Sequence, residues 1–175
     1  MNRRHFLHTA ALAAAALPMA PGAFAATSST IRPDRDGMLR VRGKREFVLG
    51  LYQVPKHDTA LREASEAGFN LINRSANRAA YDEAHKLGLW GWSALGSLPL
   101  DKRAEAESRM RQTIETLRDH PALLYWETED EPTFVWKVPL KLRTPAAQIN
   151  DTAAFIRNLD PDHPLYLNQS PTNLV

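Results

Sequence analysis

Two stretches, SEAGFNLIN and HKLGLWGWS, follow one plan, and their glycines, Gly68 and Gly88, lie 20 residues apart. In each, a helix-favouring run ends at glycine and an apolar strand follows at once. Glycine closes a helix because it accepts the left-handed backbone of the final turn. The spacing suits one short helix feeding one short strand. Strands apolar on both faces and separated by helices call for a parallel α/β sheet.

The same grammar extends in both directions. Asp58 is positioned to cap a helix carrying Ala60, Leu61, Ala64 and Ala67, and Ala80, Tyr81, Ala84 and Leu87 mark the next one. A third helix is expected from about Asp101 to Asp119, with Met110, Ile114 and Leu117 on one face, before the strand ALLYWETE. Thr144-Pro145 opens a fourth, because proline is favoured in a first helical turn, and PLYLNQS follows as a strand. Upstream, DGMLRVRGKREFVLGLYQ reads as a hairpin turning near Gly43-Lys44 and leading into a strand from Phe47 to Tyr52. The pattern is therefore five strands and four helices. No glycine-rich phosphate loop follows the first of these strands, where YQVPKHD stands, so a dinucleotide or P-loop site has little support. Two architectures remain: an open flavodoxin-like sheet, or the first four βα units and fifth strand of a (β/α)8 barrel. A whole barrel needs about 250 residues.

Composition narrows the function classes. With 43% hydrophobic and 24% charged residues the chain is ordinary globular material, and its lack of cysteine excludes disulfides, thiolate metal sites and a cysteine nucleophile. The net charge of +2 has a local origin: Arg3 and Arg4 are the Lys/Arg of the first 25 residues, which hold no acid. The rest is neutral, which argues against nucleic acid or an anionic membrane as partner. Residues 1–25 combine a charged start, an apolar run from Ala10 to Ala20 and the small-x-small sequence Ala23-Phe24-Ala25. The run is too short to span a bilayer core of about 30 Å, so a cleaved export signal is expected, without stable membrane insertion afterwards. RRHFL resembles a twin-arginine signal, although Asn2 stands where Ser or Thr is usual and His8 where Lys is common. A general secretory signal is the alternative. Either route puts the mature chain in the periplasm or outside the cell, with the twin-arginine machinery as a transient partner in the first case. Residues 26–35 read as a linker, and 36–175 as the folded unit.

The chemically densest segment is HPALLYWETEDEPTFVW, His120 to Trp136, which sets Glu127, Glu129, Asp130 and Glu131 on or just after a buried strand. Strand ends are where parallel folds build sites. Crowded, desolvated carboxylates repel, so at least one is expected to be raised and able to donate a proton. Glu127 and Glu129 have a plainer reading as partners of Arg109, Arg111 or Arg118 on the preceding helix.

Trp126-x-x-x-Asp130-Glu131-Pro132 after His120-Pro121-Ala122 resembles the fourth strand of the retaining glycoside hydrolases built on (β/α)8 barrels. There the strand ends in Asn-Glu-Pro or Asp-Glu-Pro. DGMLRVRGKREFVLGLYQ is similar to that clan's leading hairpin and first strand, EAGFNLIN to its first helix and second strand, and LDPDHPLYLNQ to the approach to the fifth. The resemblance implies that Glu131 is the general acid/base and that Asp130 stands where an Asn often binds a sugar hydroxyl. A carboxylate accepts there but does not donate. It also implies a Glu nucleophile on a seventh strand, which this sequence does not contain, so the chain is expected to be an inactive fragment lacking that residue. Glu129 is a poor substitute. Two residues along a strand span about 6.6 Å, an inverting separation, but the pair would lie along one strand and not across a sugar ring.

Sugar sites need flat aromatic faces and polar neighbours. Tyr52, Trp92 and Trp136 fall at or beyond strand ends, with Gln53, Asn73, Arg74, Asn168 and Gln169, and are the candidate contacts to an oligosaccharide, polysaccharide or glycoside. Trp90 and Trp126 lie earlier and should be core. His57, His85, His120 and His163 have no metal-ligand spacing, so neither metal nor cofactor is expected. The competing function is a non-catalytic carbohydrate-binding or assembly module on a half-barrel.

Overall fold

The computed structural model describes residues 31–135 and 142–169; the segment read as an export signal and Trp136 lie outside them. Ile31–Pro33 (β1), Leu39–Val41 (β2) and Lys44–Glu46 (β3) form an antiparallel sheet in that order. Gly50–Leu51 (β4), Leu71–Asn73 (β5), Trp90–Ala94 (β6), Leu123–Glu127 (β7) and Leu165–Tyr166 (β8) form a second sheet, parallel throughout, again in chain order. Helices Ala60–Glu66 (α1), Arg78–Lys86 (α2), Arg103–Leu117 (α3) and Ala146–Leu159 (α4) connect its strands. A flavodoxin-like sheet reverses its strand order at a switch point. This sheet does not: it runs in barrel order and, among the described residues, stays unclosed, with β4 and β8 at its two ends.

The two glycine stops behave alike. Gly68 and Gly88 take φ of 90° and 73°, and the next residue turns back onto its helix, Phe69 N to Ala64 O and Leu89 N to Ala84 O, both at 3.0 Å. The α1 cap differs from expectation. Thr59, not Asp58, sits at the N-cap without a side-chain cap bond, because its hydroxyl is spent on Glu63 at 2.6 Å. At α2 the Asn77 carboxamide accepts from Ala80 N at 3.0 Å.

Two further differences have local causes. Ile31–Pro33, inside the segment read as a linker, is a strand because Ile31 can be buried against Val41, Leu71 and Trp92. The strand expected over Phe47 to Tyr52 is confined to Gly50–Leu51. Just before it, the Asn70 side chain shares the pairing with the backbone, accepting from Leu49 N at 2.8 Å and donating to Phe47 O at 2.7 Å, while Leu49 O accepts from Asn70 N at 3.1 Å.

The pleat divides the parallel sheet into two faces. One packs against the helices, where Tyr81, Met110, Ile114, Leu117, Leu123, Trp126 and Ile156 make the largest cluster. The other carries Leu71, Trp92 and Leu124 and is covered in part by Ile31 and Val41 of the antiparallel sheet. Trp126, expected as core, is fully buried, and its Nε1 donates to Asp160 Oδ2 at 2.8 Å. Asp160, 3% exposed, also accepts from His163 Nδ1 at 2.8 Å. Burial pushes this carboxyl up, but the His163 and Trp126 hydrogen bonds outweigh it and hold Asp160 below its ordinary value. Gly91 admits the Tyr81 ring: a Cβ there would lie 2.9 Å from Tyr81 Cε1 and 3.3 Å from Arg74 Cγ.

Candidate active site

The sheet gathers its functional side chains at one end. Tyr52 follows β4, Asn73 ends β5, Trp92 is on β6, Glu127 ends β7 and Asn168 lies two residues past β8. Parallel alignment puts all five strand ends on the same rim.

Glu127 lies at the centre of this arrangement and is 0% exposed. Trp92 Nε1 donates to its Oε2 at 2.9 Å, and the Tyr52 hydroxyl lies 3.2 Å from its Oε1. Desolvation pushes this carboxyl up, the Trp92 and Tyr52 hydrogen bonds oppose, and the Asp130 charge adds to the rise. Tyr52 is pushed up to about 12, by burial of its hydroxyl first and then by Glu127 and Asp130. The crowded-carboxylate expectation is thus met at Glu127. The plainer expectation, pairing with a helix arginine, is not. Arg111 lies over the Phe155 ring and Arg118 donates to Leu159 O. Glu129 meets Arg143 and Thr144 of the loop before α4, at 3.3 and 2.7 Å.

Aromatic rings surround Glu127 in a row across the strands. Tyr52 meets Trp92 edge-on with centroids 5.7 Å apart, Trp92 stacks on Tyr125 at 5.6 Å, and Tyr125 leans on Tyr166 at 5.3 Å. Trp92 was expected to offer its face to a ligand. The structure leaves it 3% exposed, because Tyr52 and Tyr125 cover it while Glu127 takes its N–H. The open rings of the row are Tyr52 and Tyr166, 44% and 41% exposed. Tyr125 and Tyr166 were missed in the sequence. Their signal was strand register, which pairs Trp92 with Tyr125 and Glu127 with Tyr166.

Beyond β7 the chain turns sharply. Glu131 takes φ of 45°, a left-handed conformation unfavourable for a residue with a Cβ. Its amide donates to Asn168 O at 3.1 Å, and its carbonyl accepts from Phe134 N at 2.9 Å. The Asn168 side chain donates to Asp130 Oδ1 at 2.7 Å. One residue after β8 therefore anchors both members of the Asp130-Glu131 pair. Gln169 accepts from Thr133 Oγ1 at 2.8 Å.

The other sequence candidates meet in a polar cleft of about 800 Å³ at the ends of β4 and β5, lined by Tyr52, Gln53, Asn73 and Arg74 with Lys56, His57 and Glu83. Arg74 is bound to Glu83 at 2.8 Å. Tyr52 links the two groups, since it lines the cleft and also touches Glu127. The histidines are structural where they are buried. His120 Nδ1 accepts from Ala122 N, which leaves Nε2 to donate to Asp82 at 3.0 Å. Among the described residues no three His, Asp or Glu side chains converge on a possible metal position.

No family model matches the sequence, and no curated protein matches it closely enough to count as a relative. Solved structures do match the fold. A β-glucuronidase from Parabacteroides merdae is 16% identical with a TM-score of 0.59, covering 80% of this chain and 20% of that one. The likeness is one of fold. A β-D-mannosidase from Dictyoglomus thermophilum superposes at 17% identity and TM-score 0.56, over 82% of this chain and 21% of the mannosidase. A β-1,4-D-mannanase from Cryptopygus antarcticus does so at 11% and 0.55, over 75% and 59%. The chain spans about a fifth of the length of the glucuronidase and the mannosidase.

Proposed function

We propose that this chain forms the first five strands of the catalytic barrel of an exported glycoside hydrolase, and that Glu131 is its general acid/base. One observation carries the reading: the left-handed backbone of Glu131, pinned through its amide to Asn168 at the end of a parallel strand. Such strain costs about 1–3 kcal/mol and persists where the surrounding structure enforces it, most often at functional sites. The Asp-Glu-Pro sequence and the glycosidase folds it superposes on agree with that assignment.

In a retaining reaction Glu131 protonates the departing glycosidic oxygen while a second carboxylate attacks the anomeric carbon. Glu131 then takes a proton from the water that releases the sugar. The second carboxylate comes, in this proposal, from strands beyond these five. Asp130, oriented by Asn168, accepts a sugar hydroxyl, and the cleft beside Tyr52 and Asn73 holds the rest of an uncharged oligosaccharide, polysaccharide or glycoside. Residues 1–25 would direct the protein to the periplasm or beyond.

Aryl glycosides with strong and weak leaving groups test this, assayed on the chain and on any longer protein that contains it. In the active form, Glu131→Gln should slow weak leaving groups by about 10²–10⁴-fold and strong ones far less. Equal slowing of both would remove Glu131 from the acid's role. The sheet edges, unpaired among the described residues, and the exposed rings of Tyr52 and Tyr166 favour a second reading, a non-catalytic carbohydrate-binding or assembly module. Under it Glu131→Gln has no turnover to remove, and glycan binding survives.

A further inference from the structure

Among the described residues Glu127 stands out, a carboxyl with no exposure whose two hydrogen bonds come from neutral donors. The proposed hydrolysis does not use it, and in the sequence it read as an arginine's partner. Its two oxygens have different neighbours. Oε2 faces the Trp92 indole, which has an N–H and no acceptor, so that oxygen must accept. Oε1 faces the Tyr52 hydroxyl, which can donate or accept. The indole thus fixes where any proton on Glu127 must reside, namely on the oxygen facing Tyr52.

We infer that Glu127 is a positioning residue for the cleft: clamped by Trp92, it dictates which way the Tyr52 hydroxyl points its proton, and so whether Tyr52 presents a donor or an acceptor to a sugar hydroxyl. With Glu127 ionised, Tyr52 donates inward to Oε1 and keeps only lone pairs for the cleft. With Glu127 protonated, Oε1–H donates to Tyr52 and the phenolic proton turns outward. No proton leaves the pair when the hydroxyl reverses; the one gained by Glu127 comes from solvent. Desolvation favours the protonated form and brings its titration above that of an ordinary glutamate. The groups acting on Glu127 are the Tyr52 and Tyr125 phenols, the Trp92 indole and the Asp130 carboxylate, so Asp130 needs its own control. Only the consequence for a sugar rests on the proposed function; the coupling of the three side chains does not.

The experiment is a pH titration of the 175-residue chain labelled with ¹³Cζ-tyrosine and ¹⁵N-indole tryptophan, without sugar. Tyr52→Phe and Trp92→Phe assign the signals. The Tyr52 Cζ and Trp92 Nε1–H resonances are expected to step together, with one midpoint above the glutamate value of 4.5. Both steps should be lost in Glu127→Gln and retained in Asp130→Asn. Separate midpoints, flat curves, or loss of the steps with Asp130→Asn would each overturn the inference. If Glu127→Gln fails to fold, the Trp92 step in Tyr52→Phe decides, because it must persist if Glu127 is its source. Failure of the glycoside assays with coincident steps here would remove the sugar chemistry and leave the coupling intact.

Discussion

Replacing Gly91 with alanine offers a sign test of how the sheet meets its helices. Gly91 is in β6 without left-handed backbone, so on entropy alone Gly91→Ala should stabilise by about 0.4–1 kcal/mol. The structure predicts the reverse. The new methyl would lie 2.9 Å from Tyr81 Cε1 and 3.3 Å from both Tyr81 Cδ1 and Arg74 Cγ. The ring has little room to withdraw: Tyr81 is fully buried, its hydroxyl is 2.8 Å from Ser93 Oγ, and it meets the His120 ring in a T-shaped contact with centroids 5.4 Å apart. Overpacking of this kind costs about 1–3 kcal/mol. The net loss is therefore about 1 kcal/mol, a fall in Tm of about 2–4 °C for a chain of this size. Calorimetric melts of wild type, Gly91→Ala, Tyr81→Leu and the double variant form a cycle that isolates the contact. In the Tyr81→Leu background the alanine should cost nothing or stabilise. A higher Tm for Gly91→Ala alone, or an equal loss in both backgrounds, would refute the reasoning.

Other perturbations have equally definite signs. Asp160 is held below the ordinary carboxylate value of 3.8, so the unfolded chain binds its proton more tightly. Its contribution is present above that value and lost as pH falls through the depressed one; Asp160→Asn should flatten the acid limb of urea midpoints measured from pH 2 to 6. Trp126→Phe, which strips a donor from the same buried carboxylate, should cost about 1.5–3 kcal/mol from the hydrogen bond alone, read by urea unfolding at pH 7. Glu127 has the opposite sign: raised in the folded state, it costs stability as pH climbs from 4.5 through its folded value. Glu127→Gln should thus gain on wild type as pH rises, measured as the difference in unfolding free energy at pH 4 and pH 8. Asn77→Ala removes the cap on α2 and should cost about 0.5–2 kcal/mol by thermal melt.

Much of the fold was legible because its signals are local. The helix stops at Gly68 and Gly88 and the stripe of Met110, Ile114 and Leu117 each depend on a few neighbouring residues. The short β4 was not legible, because the Asn70 side chain takes over part of the pairing across 21 residues of sequence. Ile31 was missed for a similar reason: one apolar residue in a polar stretch carries no period, and only tertiary contact makes it a strand. The sequence put Asp130, Glu131, Tyr52 and Asn168 at or beyond strand ends, where the structure has them, and the structure joins Asn168 to both acids. It did not distinguish Trp92 from Tyr166 as the exposed ring, nor show that Glu127 would find neutral donors. Those outcomes depend on the register between strands, and no single strand records it.

The hold of Asn168 on Asp130 and Glu131 also sets a timetable for biosynthesis. The side chain that orients Asp130 is 38 residues downstream of it. At about 5–20 residues per second the ribosome needs about 2–8 s to deliver it. During that interval β7 and the preceding helices can assemble, but the Asp130-Glu131 turn has only local bonds such as Phe134 N to Glu131 O and lacks its tie to the strand beyond. A nascent chain stalled after α4 would carry Asp130 and Glu131 and lack the Asn168 contacts that hold them in place.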